Sequence, residues 1–353
     1  MIDLRSDTVS KPTEAMRRAI YEADVGDNCF GDDRDTLRLE EYCADYFGKP
    51  EALFMASGTL SNQVAVRALT QPGDEVVIHR AYHINFFEAA ATSAFSGVNF
   101  NLLDSEDGLY SVADLDCVYN SKARRNSNYA LPKLVVVENT VGSRGGTVFP
   151  LTTIADIANW AHTRGAKVYL DGARILHASA ATGIDVKQYT RHVDAIAVCM
   201  SKGLGAPIGS VLLGDAEFIA HARKYRKWFG GDLHQSGMAA SGALYAMKHH
   251  VERLTEDHEN VKLLYESLQD IPKIRCIYRG TNMLIVRVDE LGVTADVLAE
   301  DLRSNDVLCL AWDEKTLRFM SCLDVDRQSM QRAAAIVRSI LARRVDASEF
   351  CTP

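Results

Sequence analysis

Two residues in this chain stand where side-chain chemistry is easily built. An apolar run over 195–200 reads as a buried strand, and it stops at Ser201-Lys202, followed by Gly203, Gly205, Pro207 and Gly209. Lys202 is thereby delivered from the end of a sheet into a glycine-rich turn, where backbone approaches a ligand closely. An amine leaving apolar surroundings loses its proton more readily and becomes a nucleophile toward carbonyls. A second short strand, over 167–170, ends in Asp171 and runs into Gly172-Ala173-Arg174. The carboxyl ends of strands are where open α/β sheets bind their ligands.

A carbonyl-capturing lysine and a strand-ending carboxylate are the pair that a pyridoxal-phosphate enzyme needs. The amine bonds the cofactor's aldehyde, and the carboxylate pairs with the protonated pyridine nitrogen and keeps the ring an electron sink. A sheet must deliver both. Short apolar runs over 52–55, 75–79, 98–103, 134–138, 167–170 and 195–200 read as strands, with a further strand over 209–213. Helical patterns over 60–69, 84–93 and 152–164 alternate with them, so the sheet is expected to be mostly parallel with right-handed crossovers. Ser57-Gly58-Thr59 falls in the first strand-to-helix turn, where backbone N–H groups, a hydroxyl and the helix dipole favour a phosphate.

Before this region, residues 1–31 form an N-terminal arm with a helix over 12–22, and an amphipathic helix over 35–48 stops at Gly48-Lys49-Pro50. From 235 the pattern changes. A helical region to 269, strands at 274–278 and 283–288, a Thr294-capped helix to 305, strands near 307–312 and 317–320, and a helix over 325–344 read as a smaller α+β domain. The expected division is therefore an arm 1–31, a large domain 32–234 and a small domain 235–353, with a short polar tail after Arg344.

Composition narrows the setting. Hydrophobic residues at 47%, charged residues at 24% and eight prolines describe an ordinary folded protein without low-complexity tracts. The net charge is −8, and the densest basic cluster, 223–227, is short, so nucleic acid and anionic membrane are not expected partners. Eight scattered cysteines (29, 43, 117, 199, 276, 309, 322 and 351) include no C-x-x-C pair. They read as reduced thiols in a cytosolic protein and argue against a zinc site. No leader and no 18-residue apolar run is visible.

LDGAR at 170–174, SKGLGAPIGS at 201–210, ASGTLSNQ at 56–63 and LRSDTVSKPT at 4–13 together resemble the L-threonine aldolase group of fold-type I pyridoxal-phosphate enzymes. The resemblance runs from Leu4 to Asp324 with the motifs in the family's order. It implies an aspartate-aminotransferase-like α/β fold with a small C-terminal domain. It also implies cleavage of β-hydroxy-α-amino acids to glycine and an aldehyde, and a homodimer or homotetramer with shared active sites.

Residue by residue, the resemblance makes Ser57, Gly58 and Thr59 the phosphate cup, Asp171 the partner of the pyridine nitrogen and Lys202 the amine that holds the cofactor. His83, in an A-Y-H-I-x-x-x-E pattern, stacks on the ring and is the best general-base candidate. Arg174 and Arg318 offer planar forks for the substrate carboxylate or nearby groups, Ser6 assists from the arm, and Lys227 matches a lysine that reaches the phosphate across a subunit interface.

Three segments depart from the family pattern, with Val141 in place of a histidine, His234 of an arginine and Phe30 of a tyrosine. E-N-T-H appears as Glu138-Asn139-Thr140-Val141, G-G-G-M-R-Q as Gly230-Gly231-Asp232-Leu233-His234-Gln235, and V-Y-G-E-D as Cys29-Phe30-Gly31-Asp32-Asp33. Valine for histidine is expected to make a wall of the site apolar, either harmlessly or with a changed preference. The alternatives kept open are β-elimination or racemisation on the same scaffold and, further off, a scaffold without activity.

Overall fold

The computed structural model describes residues 1–123 and 128–349. Its centre is a seven-stranded sheet in the spatial order Glu51–Met55, Ser210–Gly214, Ala195–Cys199, Lys167–Asp171, Pro132–Glu138, Glu75–His79 and Asn99–Leu103. The last five run parallel to one another, and Ser210–Gly214 is antiparallel to both of its neighbours. Strands such as Glu75–His79 and Ala195–Cys199 are buried along their whole length, which is why they read as apolar runs rather than alternating ones. The register sets Glu138 beside Asp171, so two carboxylates reach the same edge of the sheet.

A second sheet of four antiparallel strands, in the order Leu310–Asp313, Thr316–Met320, Met283–Arg287, Arg275–Tyr278, packs beneath the helices Leu254–Leu268, Ala295–Arg303 and Arg327–Glu349. The molecule has two hydrophobic cores. The first includes Ala240, Ala243, Ala246 and Leu254, and the second runs from Val261 onward and takes in Leu4. The second core thus begins one helix later than residue 235, and the N-terminal arm is anchored in it.

Three elements differ from the sequence expectation. The helix expected over 84–93 is two short helices, His83–Phe86 and Ala91–Ser96, because the chain between them turns through Ala89 and Ala90 at positive φ while Glu88 points inward and is buried. The run near 307–312 divides: Val307–Leu308 pairs with Ile2–Asp3 of the arm, and Leu310–Asp313 joins the four-stranded sheet. The final helix continues through the expected polar tail to Glu349, and Cys351 lies outside the described residues. Among the described residues no helix is long and apolar enough to cross a membrane.

Candidate active site

Lys202 leaves Ala195–Cys199 as expected, and the turn after it closes through a Gly205 N–H bond to the Lys202 carbonyl at 2.8 Å, with Gly205 at φ +75°. Asp171 ends the adjacent strand, where a Cβ on Gly172 would lie 2.9 Å from the Ala197 carbonyl, so only glycine permits that close approach. Asp171 is buried, and its carboxylate accepts the Asn62 amide at 3.0 Å and the Ala173 N–H at 3.1 Å. Asn62 is itself fixed by the Tyr169 hydroxyl at 2.7 Å. The sequence reading passed over Asn62, although it sits one turn into the helix that follows Ser57-Gly58-Thr59.

Two adjoining cavities meet at Lys202, Asp171, His83 and Ala173. One, of about 140 Å³, is lined by Ser57, Gly58, Thr59, Asn62, Ser201 and those shared residues. The other, of about 220 Å³, is lined by Ser6, Glu138, Thr140, Arg174, Trp312, Arg318 and the same shared group. Ser57 caps the helix Gly58–Leu69 by accepting the Leu60 N–H, which leaves the first turn's remaining N–H groups facing the smaller cavity.

His83 Nδ1 is 2.7 Å from Glu88 Oε1. Burial pulls the imidazole pKa down, but the Glu88 hydrogen bond and the charges of Asp171 and Glu88 outweigh it and leave His83 above its ordinary value. Glu88 also holds the side-chain amides of Asn62 and Gln63. Glu138 accepts the backbone N–H groups of His83 and Gly142 at 2.7 and 2.8 Å. Burial and then the charge of Asp171 raise Glu138 to about 7. Both glutamates were present in the motifs as spacing alone, and their inward direction comes from the broken helix and the strand register.

The two arginines differ. Arg174 spends Nε and Nη2 on Asp7, whereas Arg318 lies over the Trp312 ring at 4.5 Å, with only a 3.4 Å bond to the Arg5 carbonyl and a buried Nε that has no partner. Burial, then the nearby Arg174 charge, lower Arg318 to about 10. Ser6 lines the same cavity and accepts the Thr8 N–H.

The chain matches the beta-eliminating lyase family over residues 3–291. A low-specificity L-threonine aldolase of Escherichia coli K12 is 36% identical over 344 residues, covering 97% of this chain and 100% of the relative. The chain belongs to the beta-eliminating lyase family, in its threonine aldolase group. A low-specificity L-threonine aldolase 1 of Arabidopsis thaliana is 34% identical over 324 residues, with 90% of each chain covered. In three dimensions, a Leishmania major threonine aldolase superposes with a TM-score of 0.83 at 18% identity, covering 97% of this chain and all of the other. An alanine-glyoxylate aminotransferase from Nostoc reaches 0.72 at 15% identity over 96% and 95%. These show the fold to be that of the fold-type I enzymes.

As a threonine-aldolase-group lyase, the chain has residues that fit pyridoxal phosphate. An amine, a buried carboxylate and a helix N-terminus surround one small cavity. A Cβ on Gly58 would project into it with nothing nearer than Cys199 Sγ at 3.8 Å, so glycine keeps that space free. Thr140 Oγ1 and Arg318 Nε are buried without partners on the adjoining wall, as donors awaiting a ligand are.

Some expected residues lie elsewhere. Lys227 is exposed on the helix Ala216–Trp228, pairs with Asp232 at 3.0 Å and lines neither cavity. Val141 also lines neither cavity, which corrects its expected place in the wall of the site. It is fully buried in the first core, where a Cβ on Gly108 would come within 2.7 Å of it. Phe30 and His234 are exposed on loops at some remove from Lys202, lining neither cavity.

Proposed function

We propose that this lyase, using pyridoxal phosphate, breaks the Cα–Cβ bond of β-hydroxy-α-amino acids of the L-threonine and L-allo-threonine kind, releasing glycine and an aldehyde. The observation that carries the reading is Arg318: a half-buried guanidinium whose buried Nε has no partner, in the same cavity as Lys202 and His83, suits an amino-acid carboxylate. The names of the Escherichia coli and Arabidopsis relatives support it.

In this reading Lys202 bonds the cofactor's aldehyde, Asp171 pairs with its ring nitrogen, and Ser57, Gly58, Thr59 and Ser201 take its phosphate at the helix N-terminus. Bound there, pyridoxal phosphate supplies an electron sink for the pair released at Cα. Arg318, with Ser6 and the free Nη1 of Arg174, holds the carboxylate and so decides which bond at Cα is presented for cleavage. His83, oriented through Nδ1 by Glu88, uses Nε2 to take the β-hydroxyl proton as the Cα–Cβ bond breaks and the aldehyde carbonyl forms. A proton returned to Cα completes glycine. Lys227 of the partner subunit adds a cation to the phosphate in a homodimer or homotetramer with shared sites. The reduced thiols and acidic surface support a cytosolic enzyme acting on a small amino acid.

The test offers L-threonine, L-allo-threonine and L-phenylserine to purified protein with added pyridoxal phosphate and follows glycine and aldehyde together. Equal amounts of both, abolished by Lys202→Ala, are expected. A cofactor spectrum that responds to amino acids while no glycine forms would sink the reading and put β-elimination or racemisation in its place.

A further inference from the structure

We propose that Asp27, Cys29 and His234 form a binding site for a divalent cation of the zinc class, outside the two cavities. A carboxylate oxygen of Asp27, the Cys29 Sγ and a ring nitrogen of His234 all lie within 4.8 Å of one another, and His234 Nδ1 is 3.0 Å from Asp27 Oδ2. One nitrogen, one sulfur and one oxygen donor make the mixed set that zinc accepts, and three protein ligands leave a position for water. With bonds of about 2.0–2.3 Å, a tetrahedral ion holds its donors about 3.3–3.7 Å apart, so the widest gap here must close by at most about 1.5 Å.

The sequence comparison and the fold converge on this cluster from different directions. In the family pattern G-G-G-M-R-Q, the position of His234 holds arginine. The two segments, far apart in the chain, meet at one place: the Cys29 thiol donates to Asp232 Oδ2 at 3.6 Å, and His234 meets Asp27. At this position an imidazole nitrogen, which can ligate a metal, stands in place of a guanidinium, which cannot.

The two segments are also tied before any ion arrives. The Asn28 N–H donates to the His234 carbonyl at 2.7 Å, and the Gly237 N–H donates to Asp33 at 2.8 Å. Asp27 Oδ1 accepts the Cys29 N–H at 2.8 Å, which leaves Oδ2 directed at His234. Asp232 is engaged by Arg226 at 2.7 Å and Lys227 at 3.0 Å, so it serves as a neighbour that orients Cys29 and not as a ligand. Binding converts the Cys29 thiol to a thiolate and releases its proton to solvent.

The experiment uses full-length holoenzyme dialysed against chelator and then titrated with zinc chloride or cobalt chloride, with bound metal measured by elemental analysis after equilibrium dialysis. One zinc per chain is expected, with Cys29→Ser and His234→Arg each weakening binding at least tenfold and Cys117→Ser, at another exposed thiol, leaving it unchanged. Cobalt-loaded protein is expected to show thiolate-to-metal absorption that Cys29→Ser removes. Circular dichroism confirms that these exposed substitutions leave the fold intact. Absence of bound zinc, or binding unaltered in both the Cys29 and His234 variants, overturns the site, and neither result depends on the lyase activity.

Discussion

Arg174 is closed onto Asp7 by two parallel hydrogen bonds, Nε to Oδ2 and Nη2 to Oδ1, each 2.7 Å long and both groups buried. Asp7 also accepts the Asn282 amide at 3.3 Å, so one carboxylate joins the first residues of the chain, the start of the helix Ile175–Thr182 and the loop before the strand Met283–Arg287. Burial opposes its ionisation, but the charge and hydrogen bonds of Arg174 outweigh burial and hold Asp7 far below the ordinary carboxylate range.

Asp7→Asn is expected to cost roughly 3–5 kcal/mol, the usual cost of leaving one member of a buried ion pair uncompensated. Because the folded-state pKa is depressed, the pair's stability is fully present above the ordinary carboxylate value and is lost as pH falls through the folded one. Thermal denaturation of both proteins between neutral and acid pH checks this: the difference in melting temperature should be widest near neutrality and shrink toward low pH.

Arg318→Met should weaken amino-acid binding by roughly 10- to 150-fold, the range for one charge-assisted interaction of about 1.5–3 kcal/mol. Cofactor binding should be unaffected, since Arg318 does not line the smaller cavity. Steady-state KM alongside a spectroscopic cofactor titration separates the two effects, and loss of cofactor affinity would contradict this assignment.

The His83–Glu88 pair predicts the acid side of the rate profile. His83 acts as a base only when neutral, and its pKa is raised, so kcat/KM should fall as pH drops through a value above 6.5. Glu88→Gln keeps an acceptor for His83 Nδ1 but removes the charge that opposes burial, and the acid limb should move to lower pH. An unmoved limb would assign the titration to another group.

Val141→His is expected to lower stability by about 1–3 kcal/mol through overpacking and to bring no gain in threonine cleavage. The side chain is enclosed beside Gly108 and away from both cavities. Melting temperature and kcat on L-threonine check the two halves of the expectation. A higher kcat would restore a role for this position in substrate recognition.

The strand and helix pattern, the turn at Ser57-Gly58-Thr59 and the positions of Asp171 and Lys202 at neighbouring strand ends were legible in the sequence because each depends on local chemistry: apolar runs long enough to be buried strands, glycines at turns, and polar residues at strand ends. What the tertiary structure decided is direction and distance. Glu88 could be read as part of a helix, and became the partner of His83 only because the chain breaks at Ala89 and Ala90. Arg174 and Arg318 were equal candidates until Asp7, from the opposite end of the chain, occupied one of them. Val141 sits between cavity-lining Thr140 and Gly142 in sequence but is enclosed in the core, where it bridges to Thr147 and packs beside Gly108. Cys29 and His234 show the same limit from the other side. Their spacing spoke against a metal site, and only the folding of two distant loops onto one another sets sulfur, nitrogen and oxygen within reach of a single ion.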